Sequence, residues 1–318
     1  MTETLDIFAD IVGQDSTKRK LGFFLQCHRN TGIIPTLLFT ASKGSGKTFL
    51  ANAFRKGLIR REGELAGQKA KLFIEVNCST IKSIKQFFSS LVIPHINDKE
   101  VTILFDEASE LPTDVSNALL TILAPNPNNK TTFSFDEYMV DFDFSRQSFI
   151  FATSEPHRLH HALKDRMERV DLEAYSASHL EQIIKRNLKE VEFEPSALSE
   201  IASVLRGNAR SAQKMANHIR SFLGASKTFL YEEWAEMKCQ LGINKLGLTP
   251  TEIQILQTLQ QHPHTSLTRL SAVTGLTKEA LMRDAELYLQ NLDLMEITNS
   301  GRSLTAKGHQ YLKSLKTN

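Results

Sequence analysis

The sequence predicts an α/β protein: a phosphate-binding domain on a parallel sheet, then a helical domain, then a winged helix. Three stretches carry that prediction. Residues 37–48, LLFTASKGSGKT, run an apolar strand into a Gly-rich turn ending in Lys-Thr. Residues 101–107, VTILFDE, form a second apolar run that ends in two carboxylates. After about residue 173 the strand pattern gives way to amphipathic helices, and the last 74 residues, 245–318, read helix, helix-turn-helix, two short strands, helix.

The first stretch has the makings of a phosphate-binding loop. Backbone N–H groups can surround a phosphate only where no side chain blocks the approach, which is the use of Gly44 and Gly46 on either side of Ser45. Lys47 then reaches the β- and γ-phosphates, and the Thr48 hydroxyl is placed to hold Mg²⁺. The flanks are those the motif needs. Ile34, Leu37, Leu38 and Phe39 precede it, and Phe49, Leu50, Ala53 and Phe54 follow at helical spacing. Ala41 stands where the first Gly of such loops is usual, which is tolerable at negative φ.

The second stretch sets Asp106 and Glu107 at the carboxyl tip of a strand, where open α/β sheets bind ligands. Beside a phosphate loop, Asp106 is the candidate to hold Mg²⁺ and Glu107 the general base that polarises the attacking water. KLFIEVN (71–77) and SFIFATSEP (148–156) read as further strands of the kind buried in a parallel sheet. The latter ends in Thr153 and Ser154, small polar residues able to hydrogen-bond a γ-phosphate or the attacking water.

The remaining segments fit around these strands. Ile11, Val12 and Gly13 precede a helix that Asp15 or Ser16 can cap, with Leu21, Phe24 and Leu25 inward. Residues 55–71 read as a solvated helix end and loop, and 116–123 as an amphipathic helix stopped by Pro125 and Pro127. TTFSFDEYMVDFDF (131–144) alternates as a hairpin with Asp136-Glu137-Tyr138-Met139 in its turn. Its carboxylates, with no Lys or Arg among them, disfavour a DNA-gripping loop. Two readings stay open, a structural hairpin that merely covers the sheet edge and, narrowly preferred, a protein-binding tip anchored by Tyr138 and Met139. Three helices follow, over SASHLEQIIKRNLKEV, SALSEIASVLRGNAR and SAQKMANHIRSFLGA. In the final segment Gly275 marks the turn of the helix-turn-helix, and Asn299 to Arg302 lie between the two strands.

Composition narrows the class. The chain has 318 residues, 41% of them hydrophobic, which suits two or three ordinary cores. No apolar run approaches a membrane span, and MTETLDIFAD lacks the layout of a secretion signal, so a cytoplasmic address is expected. Cys27, Cys78 and Cys239 are too scattered for zinc or disulfides. A net charge of +2 does not announce a nucleic-acid binder, so any DNA contact must come from a local patch.

Taken in order, these motifs resemble the AAA+ ATPases and, among them, the RuvB family of Holliday-junction branch-migration motors, over nearly the whole chain. IVGQ (11–14) resembles the start of the family's large domain, which sets Ile11 and Val12 against adenine. ASKGSGKT and ILFDEA match Walker A and Walker B, and FATSEP matches the sensor-1 strand, with Ser154 or Thr153 at the sensor position. LKDRM resembles the segment carrying the arginine finger, which falls on Arg166, and RGNAR the sensor-2 motif, which sets Arg210 on the γ-phosphate. YLQNLDLMEITNSGRSLTAKGHQYL resembles the family's winged helix, with Arg302 in the DNA-contacting wing.

The resemblance implies an ATPase using ATP and Mg²⁺, assembled as a homo-oligomer, a hexamer, on duplex or branched DNA. It implies an AAA+ large domain over 1–172, a helical lid over 173–243 and a winged helix over 244–318. It also implies a RuvA-like partner at the 131–144 hairpin. DEAS in place of the family's DEIH, with the missing first Gly of Walker A, marks a divergent relative. A second class stays open, an ATP switch such as a clamp loader, replication initiator or transposition regulator.

Overall fold

A computed structural model describes residues 7–61, 67–124, 130–135, 138–144 and 146–315, with the backbone alone over 130–143. The chain divides into two compact units: Met1–Glu192 with Gly207–Thr228, and Phe193–Arg206 with Phe229–Asn318.

The first unit is built on a five-stranded parallel sheet of β1 (Leu37–Thr40), β2 (Leu72–Asn77), β3 (Val101–Asp106), β6 (Ser148–Thr153) and β7 (Glu168–Asp171), in the order β2-β3-β6-β1-β7. Alternate side chains go to opposite faces, and both faces are covered. Leu37, Phe39, Leu104, Ile150 and Ala152 pack on one side, against α1 (Asp15–Thr31) and α2 (Lys47–Phe54). Leu38, Ile103, Phe105, Phe149 and Phe151 pack on the other, with α3 (Ile84–Phe87), its π-helical continuation Phe88–Ile96, and α4 (Thr113–Ile122). This explains why β1, β3 and β6 read as unbroken apolar runs. KLFIEVN departs from the expectation of a fully buried strand, because β2 lies at the sheet edge and Leu72 is 58% exposed.

The order of strands makes the site. β6 lies between β1 and β3, and Thr40 is in register with Thr153 while Phe105 is in register with Phe151. The carboxyl ends of the three strands therefore line up, and the turns after β1 and β3 open on the same rim.

Local details differ from the sequence reading. Gln14, not Asp15 or Ser16, occupies the N-cap of α1, in the left-handed region at φ 59°. Its side chain joins Glu173 instead, donating from Nε2 to the carbonyl at 2.8 Å and accepting from the amide at 2.9 Å. Leu21, Phe24 and Leu25 are buried on α1. Strands β4 (Lys130–Phe135) and β5 (Tyr138–Asp143) form the antiparallel hairpin, but Tyr138 pairs with Phe135 and Met139 with Ser134. The connection is thus two residues long, and Asp136 and Glu137, read as part of the turn, lie outside the described residues. The unit closes with α5 (His161–Lys164), α6 (Ala177–Asn187) and, after the break in sequence, α8 (Ala209–Leu223).

The second unit holds α7 (Pro195–Val204) and α9 (Tyr231–Gln240), followed by the winged helix. α9 went unread in the sequence because only Trp234 and Met237 of its ten residues are buried, a weak apolar stripe. The winged helix has α10 (Pro250–Gln261) and α11 (Leu267–Thr274), and Gly275 caps α11 at φ 72°. The second helix of the helix-turn-helix is continuous through α12 (Lys278–Ala280), a π-helical stretch Leu281–Glu286 and α13 (Leu287–Asn291). After two strands of two residues each, β8 (Glu192–Phe193) and β9 (Thr228–Phe229), strands β10 (Met295–Thr298) and β11 (Gly301–Leu304) form the wing, and α14 (Ala306–Leu315) is the last described element. Arg206 is anchored in this unit. It pairs with the buried carboxylate of Glu252 at 2.6 Å and lies over the ring of Tyr288 at 3.9 Å.

Candidate nucleotide site

The turn between β1 and α2 has the backbone the sequence requires. Gly44 and Gly46 take φ of 79° and 89°, a region in which side chains are strained. Ala41 is not among the positive-φ residues, so its methyl group costs nothing there. The loop is held from inside by Ser45, whose buried hydroxyl sits 2.7 Å from that of Ser42. Lys47 opens α2 with its ammonium nearly buried, donating to the carbonyls of Ala41 at 2.9 Å and Ser42 at 3.2 Å. Burial pushes its pKa down while the carboxylates of Glu107 and Asp106 pull it back up. A phosphate would supply the counter-charge that these carbonyls only partly provide.

Thr48 donates to Asp106 Oδ2 at 2.8 Å, which joins the end of β3 to the start of α2. Asp106 Oδ1 accepts from the Glu107 amide at 2.9 Å. Glu107 itself sits at φ 51°, a left-handed conformation that costs a non-glycine residue on the order of 1 kcal/mol or more and is characteristic of functional turns. Both carboxylates line a cavity of about 800 Å³, together with Lys43, Gly44, Gly46, Lys47 and Thr48. Cys78, buried beneath them, is an inert thiol, because burial and then the Asp106 and Glu107 charges push its pKa up.

Apolar residues also line the cavity, among them Ile11, Val12 and Ile183. Ile11 and Val12 are both buried, and the Gln14–Glu173 bonds hold the 11–14 loop against the segment that leads to Tyr175. Gly13, at φ 59°, lets the imidazole of His179 lie where a Cβ would come within 2.9 Å.

Helix α8 reaches the loop by its N-terminus. Asn208 donates to the Lys43 carbonyl at 3.0 Å and also caps α8 through Ser211, and the Arg210 amide donates to the Gly44 carbonyl at 3.1 Å. A Cβ on Gly44 would collide with Asn208 at 2.4 Å, so this glycine serves the approach of α8 as well as that of a phosphate. Arg210 lines the cavity.

The remaining sequence-predicted residues fall elsewhere. Thr153 is fully buried, donating to Ser109 at 3.0 Å and accepting from the Glu155 amide at 3.0 Å. Ser154 presents a buried Oγ without a hydrogen-bond partner among the described residues. Neither lines the cavity. Arg166 is exposed in the turn between α5 and β7, donates to the Ala162 carbonyl at 2.8 Å, and also stands outside this cavity. Arg302 is in β11 opposite Ile297, one residue back from the wing tip, and its guanidinium is held by both carboxylate oxygens of buried Glu286. Sequence reasoning missed Tyr175, Asn208, Arg186 and Gln213. Only the N-cap preference of Asn before a helical run could have signalled one of them, Asn208.

Residues 37–175 match the AAA family, ATPases associated with various cellular activities, and residues 245–313 match the RuvB C-terminal winged helix domain. Holliday junction branch migration complex subunit RuvB of Mycoplasmopsis pulmonis is 24% identical, over 97% of this chain and 96% of that protein. Its counterpart in Ehrlichia ruminantium is 26% identical, over 96% and 91%. In fold, the chain is similar to the Thermotoga maritima RuvB Holliday junction branch migration motor, with a TM-score of 0.76 at 22% identity over 96% of both chains. An AAA domain, a RuvB-type winged helix on the same chain and likeness to the RuvB subunits over 97% of its length make this protein a divergent RuvB-like AAA+ ATPase.

Proposed function

We propose that the chain is an ATP-driven DNA motor of the RuvB type, which hydrolyses ATP in an oligomeric ring and moves duplex DNA at branched, Holliday-type junctions during recombination or repair. The observation that carries this reading is the Thr48–Asp106 hydrogen bond at the rim of one cavity that also gathers Lys47, Glu107 and Arg210, in a chain that ends in a RuvB-type winged helix.

In this reading the site works as follows. The N–H groups of the Gly44–Gly46 turn and the Lys47 ammonium bind the phosphates, while Ile11 and Val12 face the adenine. The Thr48 hydroxyl and the Asp106 carboxylate are hard oxygen donors 2.8 Å apart, a set that suits Mg²⁺. When bound, that ion neutralises charge on the β- and γ-phosphates. Glu107 orients the attacking water and takes its proton. Ser154 is the sensor that hydrogen-bonds that water or the γ-phosphate, a reading supported by its Oγ having no partner among the described residues, and Thr153 fixes the strand end beside it. Arg210 contacts the γ-phosphate from the start of α8. Arg166 acts as a finger in the site of a neighbouring subunit, in keeping with its position outside its own cavity.

The ring is a hexamer, the functional domains are 1–172, 173–243 and 244–318, and the winged helix contacts DNA through its wing. The β4–β5 hairpin receives a RuvA-like partner. No described helix is long and apolar enough to cross a membrane, and the protein acts in the cytoplasm.

Glu107→Gln tests the chemistry. It should bind ATP with affinity close to that of the unmodified chain and turn over about 10²-fold or more slowly, as loss of a general base implies. Unimpaired hydrolysis by this variant would remove Glu107 from the mechanism.

A further inference from the structure

On α2, Phe49 shares the helical spacing of Leu50, Ala53 and Phe54 but not their burial. Leu50, Ala51, Ala53 and Phe54 are buried on that helix, whereas Phe49 is 53% exposed and lines the nucleotide cavity. It is the third residue of α2, after Lys47 and Thr48, in the turn whose amides have no partner within the helix. A helical Cα–Cβ bond tilts toward the N-terminus, so the ring leans toward the phosphate loop rather than away from it. A large exposed aromatic side chain is out of place in the wall of a cavity that Lys43, Lys47 and Thr48 also line for phosphates.

From this we infer that Phe49 is a specificity-determining residue that offers an apolar shelf to the sugar of the bound nucleotide. This inference rests on the proposed function of the site as an ATP site. The chain of contacts follows from the order of the parts. Ile11 and Val12 line the same cavity as Gly44, Gly46 and Phe49. A nucleotide with its phosphates on the glycine turn and its base against Ile11 and Val12 would carry its ribose past the first turn of α2, where Phe49 stands. The phenyl ring there covers the C–H face of the sugar and excludes water from it, without a charge that would oppose the phosphates. A phosphate chain with no sugar gains nothing from the ring.

The experiment compares ATP, ADP and inorganic tripolyphosphate as ligands of the full chain by calorimetry, for the unmodified protein, Phe49→Ala, Phe49→Leu and Lys47→Ala. Covering half of a phenyl ring corresponds to roughly a threefold to tenfold change in affinity. Phe49→Ala should therefore weaken ATP and ADP by about that factor and leave tripolyphosphate unchanged, with Phe49→Leu in between. Equal weakening of all three ligands would mean that Phe49 shapes the phosphate loop, and no weakening of any would mean that it is an idle surface ring; either result overturns the inference. Lys47→Ala should lose all three ligands. If it retains them, the phosphate site itself is misassigned, a failure distinct from that of Phe49.

Discussion

Replacing Arg302 by Ala separates two roles that a wing arginine can have. In β11 its backbone exchanges two 3.0 Å hydrogen bonds with Thr265 and its guanidinium lies on Glu286, with the two side chains only 14% and 2% exposed. Alanine keeps the backbone ladder and removes the guanidinium, leaving a carboxylate inside the winged helix with no cation. Removing one partner of a buried ion pair costs about 3–5 kcal/mol, a large share of the roughly 5–15 kcal/mol by which domains are stable. Trp234 is the only tryptophan of the chain and is fully buried in the same unit, so its fluorescence reports that unit's unfolding in urea. Arg302→Ala should shift that transition by the stated amount, and Arg302→Leu combined with Glu286→Leu should recover most of it, since apolar residues of similar volume replace such pairs without loss. DNA affinity measured under conditions where the variant is still folded should keep its dependence on salt. A phosphate contact would instead lower the salt slope by about one when lost. Unchanged stability together with a slope reduced by one would refute the reasoning and return Arg302 to the DNA.

Two further outcomes concern the first unit. Phe151 is fully buried and stacks on Phe105 with ring centroids 4.8 Å apart. Phe151→Ala should cost about 3–5 kcal/mol, read as a lowered calorimetric transition, and a loss below 1 kcal/mol would mean that the sheet face is not packed as described. Lys71 is buried, donates to the Arg146 carbonyl at 2.9 Å, and has its pKa pushed down to about 8 by burial, with Glu100 opposing. The unfolded chain therefore binds more protons than the folded one between about pH 8 and 10.5, and this residue makes stability rise with pH across that window, by at most roughly 1.4 kcal/mol per pH unit. Lys71→Met should flatten that rise, which denaturation at several pH values would reveal; an unaltered pH profile would assign it to other groups.

The phosphate loop, the two carboxylates after β3 and the strand ending in Thr153 were legible because each is local. A glycine turn between a strand and a helix, or an apolar run ending in Asp-Glu, carries its own structural context. What the sequence hid depends on contacts distant along the chain. Gln14 could not be read as the tie to Glu173, nor Asn208 as the hand that α8 lays on the loop, because 159 and 165 residues separate the partners. Lys71 looked like the end of a solvated loop and is buried because the Arg146 carbonyl and the Ser148 hydroxyl satisfy its ammonium. Phe49 and Leu50 differ in exposure although both are apolar, since the helical period fixes a stripe but not which edge of it the core covers. Arg302 shows the same limit for charge. An arginine beside Gly301 in a turn reads as a tip residue until Glu286 is seen behind it.

The most direct test of the motor assignment is to mix the purified chain with a synthetic four-way DNA junction, ATP and Mg²⁺, and to follow both phosphate release and the separation of the junction into two duplexes. The account predicts that junction DNA accelerates ATP hydrolysis, that the junction is separated only when ATP is hydrolysed, and that Lys47→Ala loses both activities. Hydrolysis that is indifferent to DNA, with junctions left intact, would contradict it.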